Sequence, residues 1–355
     1  MGQIIRIGVD TSKNVFQLHG VDEAEQPALR RKVRRRDMLT FFARLAPTRI
    51  AMEACGGSHY WARELRALGH EVALIPPQYA KPYVDRGKND AADAEAICEA
   101  MSRPKVKKRF VAVKTVEQQA RQMLIGVREG LLKRRTQVSN SIRGYAAEFG
   151  LSAPKGLGRL EPLLERIKED QALPELVRDL FAMLGGQYRH VSAQIREIEA
   201  KLMALCRASP LSRRLLGVPS IGPVLAAALP AKVADPKAFG SGRNFAAWVG
   251  LTPRDHSTGG KARQGGITRA GDETLRSLLI CGATAVIQQV RRGKGDAPPW
   301  LVSLVARKPP KLAAVALANK IARIVWKMMV TGEPYDPRRG EGRHPTGADA
   351  LAEAA

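Results

Sequence analysis

The chain has 355 residues, 45% of them hydrophobic, which is too many for one small core and suits two domains with a connector. Lys and Arg outnumber Asp and Glu by 58 to 34, a net charge of +24. An excess that large argues against a merely solubilising surface and for a polyanionic partner, nucleic acid first and an anionic membrane surface second. The cysteines Cys55, Cys98, Cys206 and Cys281 are scattered and form no CxxC pair, which speaks against a zinc or dithiol redox site and for a reducing compartment. "MGQIIRIGVD" reads as a strand rather than a signal peptide. "KLAAVALANKIARIVWKMMV" carries Lys320, Arg323 and Lys327, so it reads as an amphipathic helix and no membrane span is expected. The expected location is cytoplasmic and nucleoid-associated.

In chain order, "IIRIGVD" is β-rich and ends at Asp10. "VFQLHGVD" and the basic run "ALRRKVRRR" continue it as an antiparallel meander with the charges toward solvent. "MLTFFARL" is helical, "TRIAMEA" is a strand ending at Glu53, "SHYWARELRALG" is a helix closed by Gly69, and "HEVALIPP" is a strand stopped by Pro76. These elements make an α/β domain with a mixed sheet, over residues 1–112. Residues 113–208 read as a coiled-coil-like connector of two long helices, about 115–149 and 175–207, joined by "GLSAPKGLGRLEP". Its apolar seam serves internal packing or self-association equally well. A mainly helical unit follows over 209–331, and the aperiodic tail 332–355 reads as disordered.

Asp10 and Glu53 end strands, while Asp90 and Asp93 stand three apart near a helix start in "KNDAADAEAI". Strand ends and a helix end meet at one sheet edge, and residues three apart share a helix face. Four carboxylates gathered there repel one another and raise their pKa values, and divalent cations relieve that repulsion. Two Mg²⁺ ions held roughly 4 Å apart suit phosphodiester chemistry. Taken singly, Asp90 reads as a helix cap, Asp10 as a turn residue and Glu53 as a surface acid. Taken together in so basic a chain, they read as a metal site acting on DNA.

In "PRDHSTGGKARQGGITRAG", Arg254, Lys261, Arg263 and Arg269 surround Ser257 and Thr258. The residues alone leave two readings open, a loop that holds a DNA phosphate and a loop that also supplies an activated serine nucleophile. Ser241, in "FGSG", is better placed as a helix cap, and His256 is a loop histidine beside the serine. "GVPSIGP" is similar to a helix-hairpin-helix turn, with Ser220 where glycine is usual, and a packing turn is the alternative.

"IGVDTSK", "AMEACGGSHYWARELRALGHEVALIPP" and "KNDAADAEAI", followed by "GVPSIGPVLAAAL" and "FAAWVGLTPRDHSTGGKARQGGITRAGDETLRSLL", resemble the DEDD-motif insertion-sequence transposases of family one-ten. The resemblance covers most of the chain. It implies an RNase H fold of the RuvC-like kind for the first domain, with the family's four acids at Asp10, Glu53, Asp90 and Asp93. It also implies a transposase domain whose catalytic serine, in a Ser-Gly element, links covalently to DNA. Here the element is Ser-Thr-Gly-Gly, which places that role on Ser257 with Thr258 as the other candidate. The family further implies a non-coding bridge RNA that pairs with donor and target DNA, and a tetramer. The rivals are a metal-dependent junction nuclease using water, a non-catalytic nucleic-acid-binding protein, and a kinase-like ATPase. "GVDTSKN" lacks the phosphate-loop glycines the last of these requires.

Overall fold

A computed structural model of the chain describes residues 3–84, 90–107, 109–258, 261, 263–294 and 297–337. Gly259 and Gly260, and the expected disordered tail beyond residue 337, lie outside the described residues. The chain divides into two units, Met1–Val116 and Glu117–Ala355.

In the first unit the β-branched run closes as strand β1 (Arg6–Asp10), paired antiparallel with β2 (Val15–Val21), which pairs antiparallel with β3 (Pro27–Arg34). The short helix α1 (Met38–Phe42) leads to β4 (Arg49–Glu53), and α2 (Ser58–Ala67) leads to β5 (Glu71–Ile75). Helices α3 (Pro77–Ala80), α4 (Asp90–Ser102) and α5 (Pro104–Lys107) complete the unit. The sheet order is β3-β2-β1-β4-β5, with β4 parallel to β1 and β5 parallel to β4. Period-2 alternation divides the sheet's side chains between two faces. Ile7, Val9, Phe16, Leu18, Val33, Ile50 and Met52 pack on one side against Met38 and Phe42 of α1 and Trp61 and Leu65 of α2. On the other side Ala51, Ala73 and Ile75 pack against Ile97, Ala100 and Met101 of α4.

Gly8 explains why α4 lies so close to β1. A Cβ on Gly8 would stand 2.5 Å from the Cys98 amide nitrogen and 2.8 Å from Cys98 Cβ, with the Ala94 carbonyl oxygen closer still. Any side chain larger than hydrogen would push the helix off the strand. Arg6 fastens the far end, donating to the Cys98 carbonyl (3.1 Å) and pairing with Glu25.

The second unit opens with α6 (Val116–Glu148), α7 (Leu160–Glu169) and α8 (Glu175–Ala208). The segment expected only to join the two long helices therefore contains a helix of its own. Leu160, Leu163, Leu164 and Ile167 of α7 recur at helical spacing and close a small core with Ile142 and Ala146 of α6 and Phe181 and Tyr188 of α8. At roughly 1.5–3 kcal/mol per buried Leu or Ile, that stripe is enough to hold a three-turn helix in place. The expected seam along α6 is only partly covered: Leu131 and Ile142 are buried, whereas Val127, Tyr145 and, just past the helix end, Phe149 are exposed.

Helices α9 (Pro210–Leu215), α10 (Pro223–Lys232) and α11 (Gly242–Val249) follow. A hairpin of β6 (Pro253–Asp255) and β7 (Gln264–Ile267) comes next, then α12 (Glu273–Arg291), α13 (Pro299–Arg307) and α14 (Pro310–Thr331). The core here runs from Leu202 and Cys206 of α8 through α10 and α11 to α12 and α14. No helix among the described residues is long and apolar enough to cross a membrane.

The α9–α10 turn is wedged against α12: a Cβ on Gly282 would overlap the Ser220 carbonyl oxygen. Ser220 adopts the left-handed conformation, φ 78°, and its buried hydroxyl has no hydrogen-bond partner among the described residues. Both features cost free energy at a non-glycine residue. Ser220→Gly is expected to stabilise the protein by about 1–2 kcal/mol. Chemical denaturation checks this, and an unchanged or lower midpoint would show that the turn is unstrained.

Candidate active site

β1 and β4 run parallel with Val9 opposite Met52, so their next residues, Asp10 and Glu53, emerge side by side at one end of the sheet. Helix α4 begins at that end, with Asp90 and Asp93 in its first turn. One carboxylate oxygen from each of Asp10, Asp90 and Asp93 lies within 4.8 Å of the others. Glu53 falls outside that tight trio, yet its charge acts on Asp10 and Asp93 acts on it in turn.

Burial and the neighbouring carboxylates push Asp10 up to about 6, with Asp93, Asp90 and Glu53 contributing in that order after desolvation. Glu53 is raised by desolvation and by Asp93. The four expected acids thus form one electrostatic cluster carried on three elements. All the donors in the trio are carboxylate oxygens, the preference of hard divalent cations. A bound cation would also relieve the repulsion that Asp10 registers.

Two residues that sequence reasoning missed hold the strand ends together. The Thr11 hydroxyl and the Cys55 thiol lie 3.2 Å apart, bridging the chain just past Asp10 to the chain just past Glu53. The Cys55 carbonyl accepts from the Ser58 hydroxyl (2.9 Å), which ties the same turn to the start of α2. The signal was available: polar side chains stand one residue after one strand-end acid and two after the other.

In the second unit the expected loop is the β6–β7 hairpin. Ser257 is exposed, its amide donating to the Asp255 carboxylate (2.9 Å) and its hydroxyl accepting from the Arg263 amide (3.0 Å). Asp255 was not singled out from the sequence. Its carboxyl is held below the usual range by hydrogen bonds from Ser257. The His256 ring lies over Gly265, whose added Cβ would stand 3.0 Å from it. Thr258 accepts from the Lys261 amide through its carbonyl (3.1 Å). Arg254 and Arg263 are exposed, and Arg254 donates to the Thr268 carbonyl (3.4 Å). Arg269 sits in the left-handed region, φ 56°. Ser241 caps α11, accepting from the Asn244 amide (3.2 Å).

Residues 7–149 match a family model for DEDD transposases of the IS110 type, and residues 212–296 match one described as "Transposase IS116/IS110/IS902 family". The chain is 60% identical to "Putative transposase y4pF/y4sB" of Sinorhizobium fredii, over 97% of its own length and 88% of that protein's. It is 46% identical to "Probable family 20 transposase" of Pseudomonas aeruginosa, over 94% and 98% of the two chains. It is 38% identical to the transposase for insertion sequence element IS1328 of Yersinia enterocolitica, over 94% and 99%. The chain belongs to the IS116/IS110/IS902 transposase family. As an insertion-sequence transposase it is an enzyme that cuts and rejoins DNA, which accounts for a polyanionic partner. A DEDD-type transposase implies use of divalent metal, and Asp10, Asp90 and Asp93 offer the donors for it.

Proposed function

We propose that this transposase is an RNA-guided DNA recombinase whose first unit has an RNase H fold of the RuvC-like kind. In this proposal Asp10, Glu53, Asp90 and Asp93 hold Mg²⁺, as a pair of ions, and Ser257 is the nucleophile. The observation that carries the metal site is the convergence of Asp10, Asp90 and Asp93 within 4.8 Å, with the Asp10 proton affinity raised by its neighbours. Bound magnesium would supply Lewis-acid stabilisation of charge on phosphodiester oxygens. Asp10 and Glu53, on adjacent strand ends, fix one side of the donor set, and the first turn of α4 fixes the other. The β1–β4 pairing keeps the strand ends in register, and the Thr11–Cys55 contact bridges the chain just beyond them.

At Ser257 the hydroxyl oxygen bonds to phosphorus, the bond from phosphorus to the sugar oxygen breaks, and the serine proton passes by way of a carboxylate to that oxygen, which leaves as a hydroxyl. The phosphoester so formed conserves the energy needed for rejoining, since a sugar hydroxyl reverses the step. Asp255 and the Arg263 amide orient the serine. Arg254, Thr258, Lys261, Arg263 and Arg269 hold the phosphate. The alternative, in which water is the nucleophile, draws support from the same hydrogen bonds, because they also make Ser257 an ordinary turn residue.

Ser257→Ala separates the two. It is expected to abolish a detergent-resistant protein–DNA adduct formed with donor DNA and Mg²⁺, while Thr258→Ala retains it. Undiminished cutting by Ser257→Ala would move the chemistry to water. The net charge of +24 supports an RNA partner alongside donor and target DNA. Sequencing RNA that co-purifies from the native locus tests guidance, and recovery of no discrete species from the flanking non-coding DNA would reduce the protein to an unguided recombinase. The exposed Met123, Val127 and Tyr145 of α6, with Phe149 just past its end, support self-association, which we assign to a tetramer in the cytoplasm, acting at the nucleoid.

A further inference from the structure

Between Arg30 and Arg36 every residue but Val33 is basic, and the acid site uses none of them. The run lies on β3, the edge of the sheet, and continues past its end. Edge strands often carry Lys or Arg simply to block pairing with another chain. One or two charges suffice for that, and the arrangement here is more specific.

Alternation along β3 sends its basic side chains to both faces. Arg31 lies over the Phe41 ring, 5.2 Å from its centroid, on the side of α1. Arg30 reaches Glu95 of α4 at 3.8 Å, so it stands on the opposite side, where α4 and the acids are. Lys32 and Arg34, two and four residues on, share the face of Arg30. Both are exposed, and neither has a carboxylate partner among the described residues.

The register fixes where this ladder sits. Lys32 pairs with Gln17, and Gln17 pairs with Asp10. Lys32 therefore stands in the same cross-strand row as Asp10, two strands away, or about 10 Å. Arg34, opposite Val15, stands one step nearer the end of the sheet from which the acids project. Helix α4 packs over β1 and β2, and Lys32 and Arg34 of β3 are exposed on this face.

We propose that Arg30, Lys32 and Arg34 form a phosphate ladder that binds the backbone of the DNA whose strand is cut at the acid cluster. This rests on the assignment of Asp10, Glu53, Asp90 and Asp93 as the cleavage site and adds the direction from which DNA reaches it. The ladder spans about 14 Å, the rise of roughly four nucleotides of duplex. It contacts phosphates, so it contributes affinity and no sequence preference.

The test uses the full-length protein and a fluorescein-labelled DNA duplex, with binding measured in EDTA across a salt series. Lys32→Gln combined with Arg34→Gln is expected to reduce the slope of log affinity against log salt by about 1.8, near 0.9 for each lost phosphate contact. Arg31→Gln, the same charge change on the other face of the same strand, is expected to leave the slope at the wild-type value. With Mg²⁺, the double variant needs more DNA for half-saturation but cleaves at the wild-type rate once saturated. An unchanged slope in the double variant, or an equal drop for Arg31→Gln and Lys32→Gln, overturns the ladder. A drop seen with structured RNA and absent with duplex DNA also overturns it. Binding in EDTA is independent of cleavage, so wild-type protein that binds normally but never cuts would indict the acid assignment and leave the ladder standing. Matching melting temperatures establish that the variants are folded.

Discussion

Replacing Asp10 by Asn is expected to abolish DNA cleavage and, at the same time, to stabilise the metal-free protein at neutral pH. Asp10 is pushed up to about 6 from 3.8 by desolvation and by Asp93, Asp90 and Glu53. A carboxyl whose folded pKa exceeds its unfolded value binds its proton more tightly in the folded state. Its contribution to stability is complete below about pH 4 and is lost as pH rises through about 6. A shift of this size corresponds to about 3 kcal/mol, and partial exposure of Asp10 reduces the expected gain from Asn to about 1–2 kcal/mol. His59 moves oppositely in an overlapping window: burial, Lys114 and Arg63 push it down to about 4, so its contribution falls as the medium becomes acidic. The measurement is therefore the difference between wild type and Asp10→Asn in EDTA at pH 5 and pH 7, which cancels His59. The gain should grow with pH. Divalent cation should raise the melting temperature of wild type and leave the variant nearly unmoved, while cleavage falls by about three orders of magnitude or more. An Asn variant that is less stable at pH 7, or that still responds fully to the cation, would contradict the cluster.

Gly8→Ala is expected to cost about 3 kcal/mol or more and to remove cleavage with it, although Gly8 carries no functional group. The added methyl would meet the Ala94 carbonyl, the Cys98 amide and Cys98 Cβ, all parts of the α4 backbone or its root. Backbone does not yield as the tip of a flexible side chain does, so α4 must lift from β1. Asp90 and Asp93 lift with it and leave Asp10. The diagnostic result is a lower denaturation midpoint together with loss of cation-induced stabilisation. By contrast Gly56, whose added Cβ would meet nothing within 4 Å, should accept Ala with little loss of stability.

The sheet was legible because its strands announce themselves. "IIRIGVD", "TRIAMEA" and "HEVALIPP" are β-branched or apolar runs with clear ends, and parallel strands place their terminal acids at a common edge. The three-residue spacing of Asp90 and Asp93 predicts a shared helix face, and their carboxylates do lie together. What seats α4 was not legible, since a glycine in a strand signals close approach without naming what approaches. The β6–β7 hairpin was read as a loop because its strands, PRD and QGGI, are short and almost wholly exposed, with no apolar alternation to reveal them. Helix α7 did carry its pattern in Leu160, Leu163, Leu164 and Ile167, but the glycines and prolines just before it obscured the start. The basic run was expected to face solvent as a single surface, whereas alternation divides it between two sides of the sheet.

The acids are dispersed between Asp10 and Asp93, on two strands and a helix that do not follow one another directly. A nascent chain still inside the ribosome beyond Glu53 holds only half of them and has nothing to bring α4 against β1. The acid cluster can therefore assemble only once the chain through Ser102 is present and the helix has settled onto Gly8. For a transposase, a product truncated before α4 therefore cannot gather the four acids.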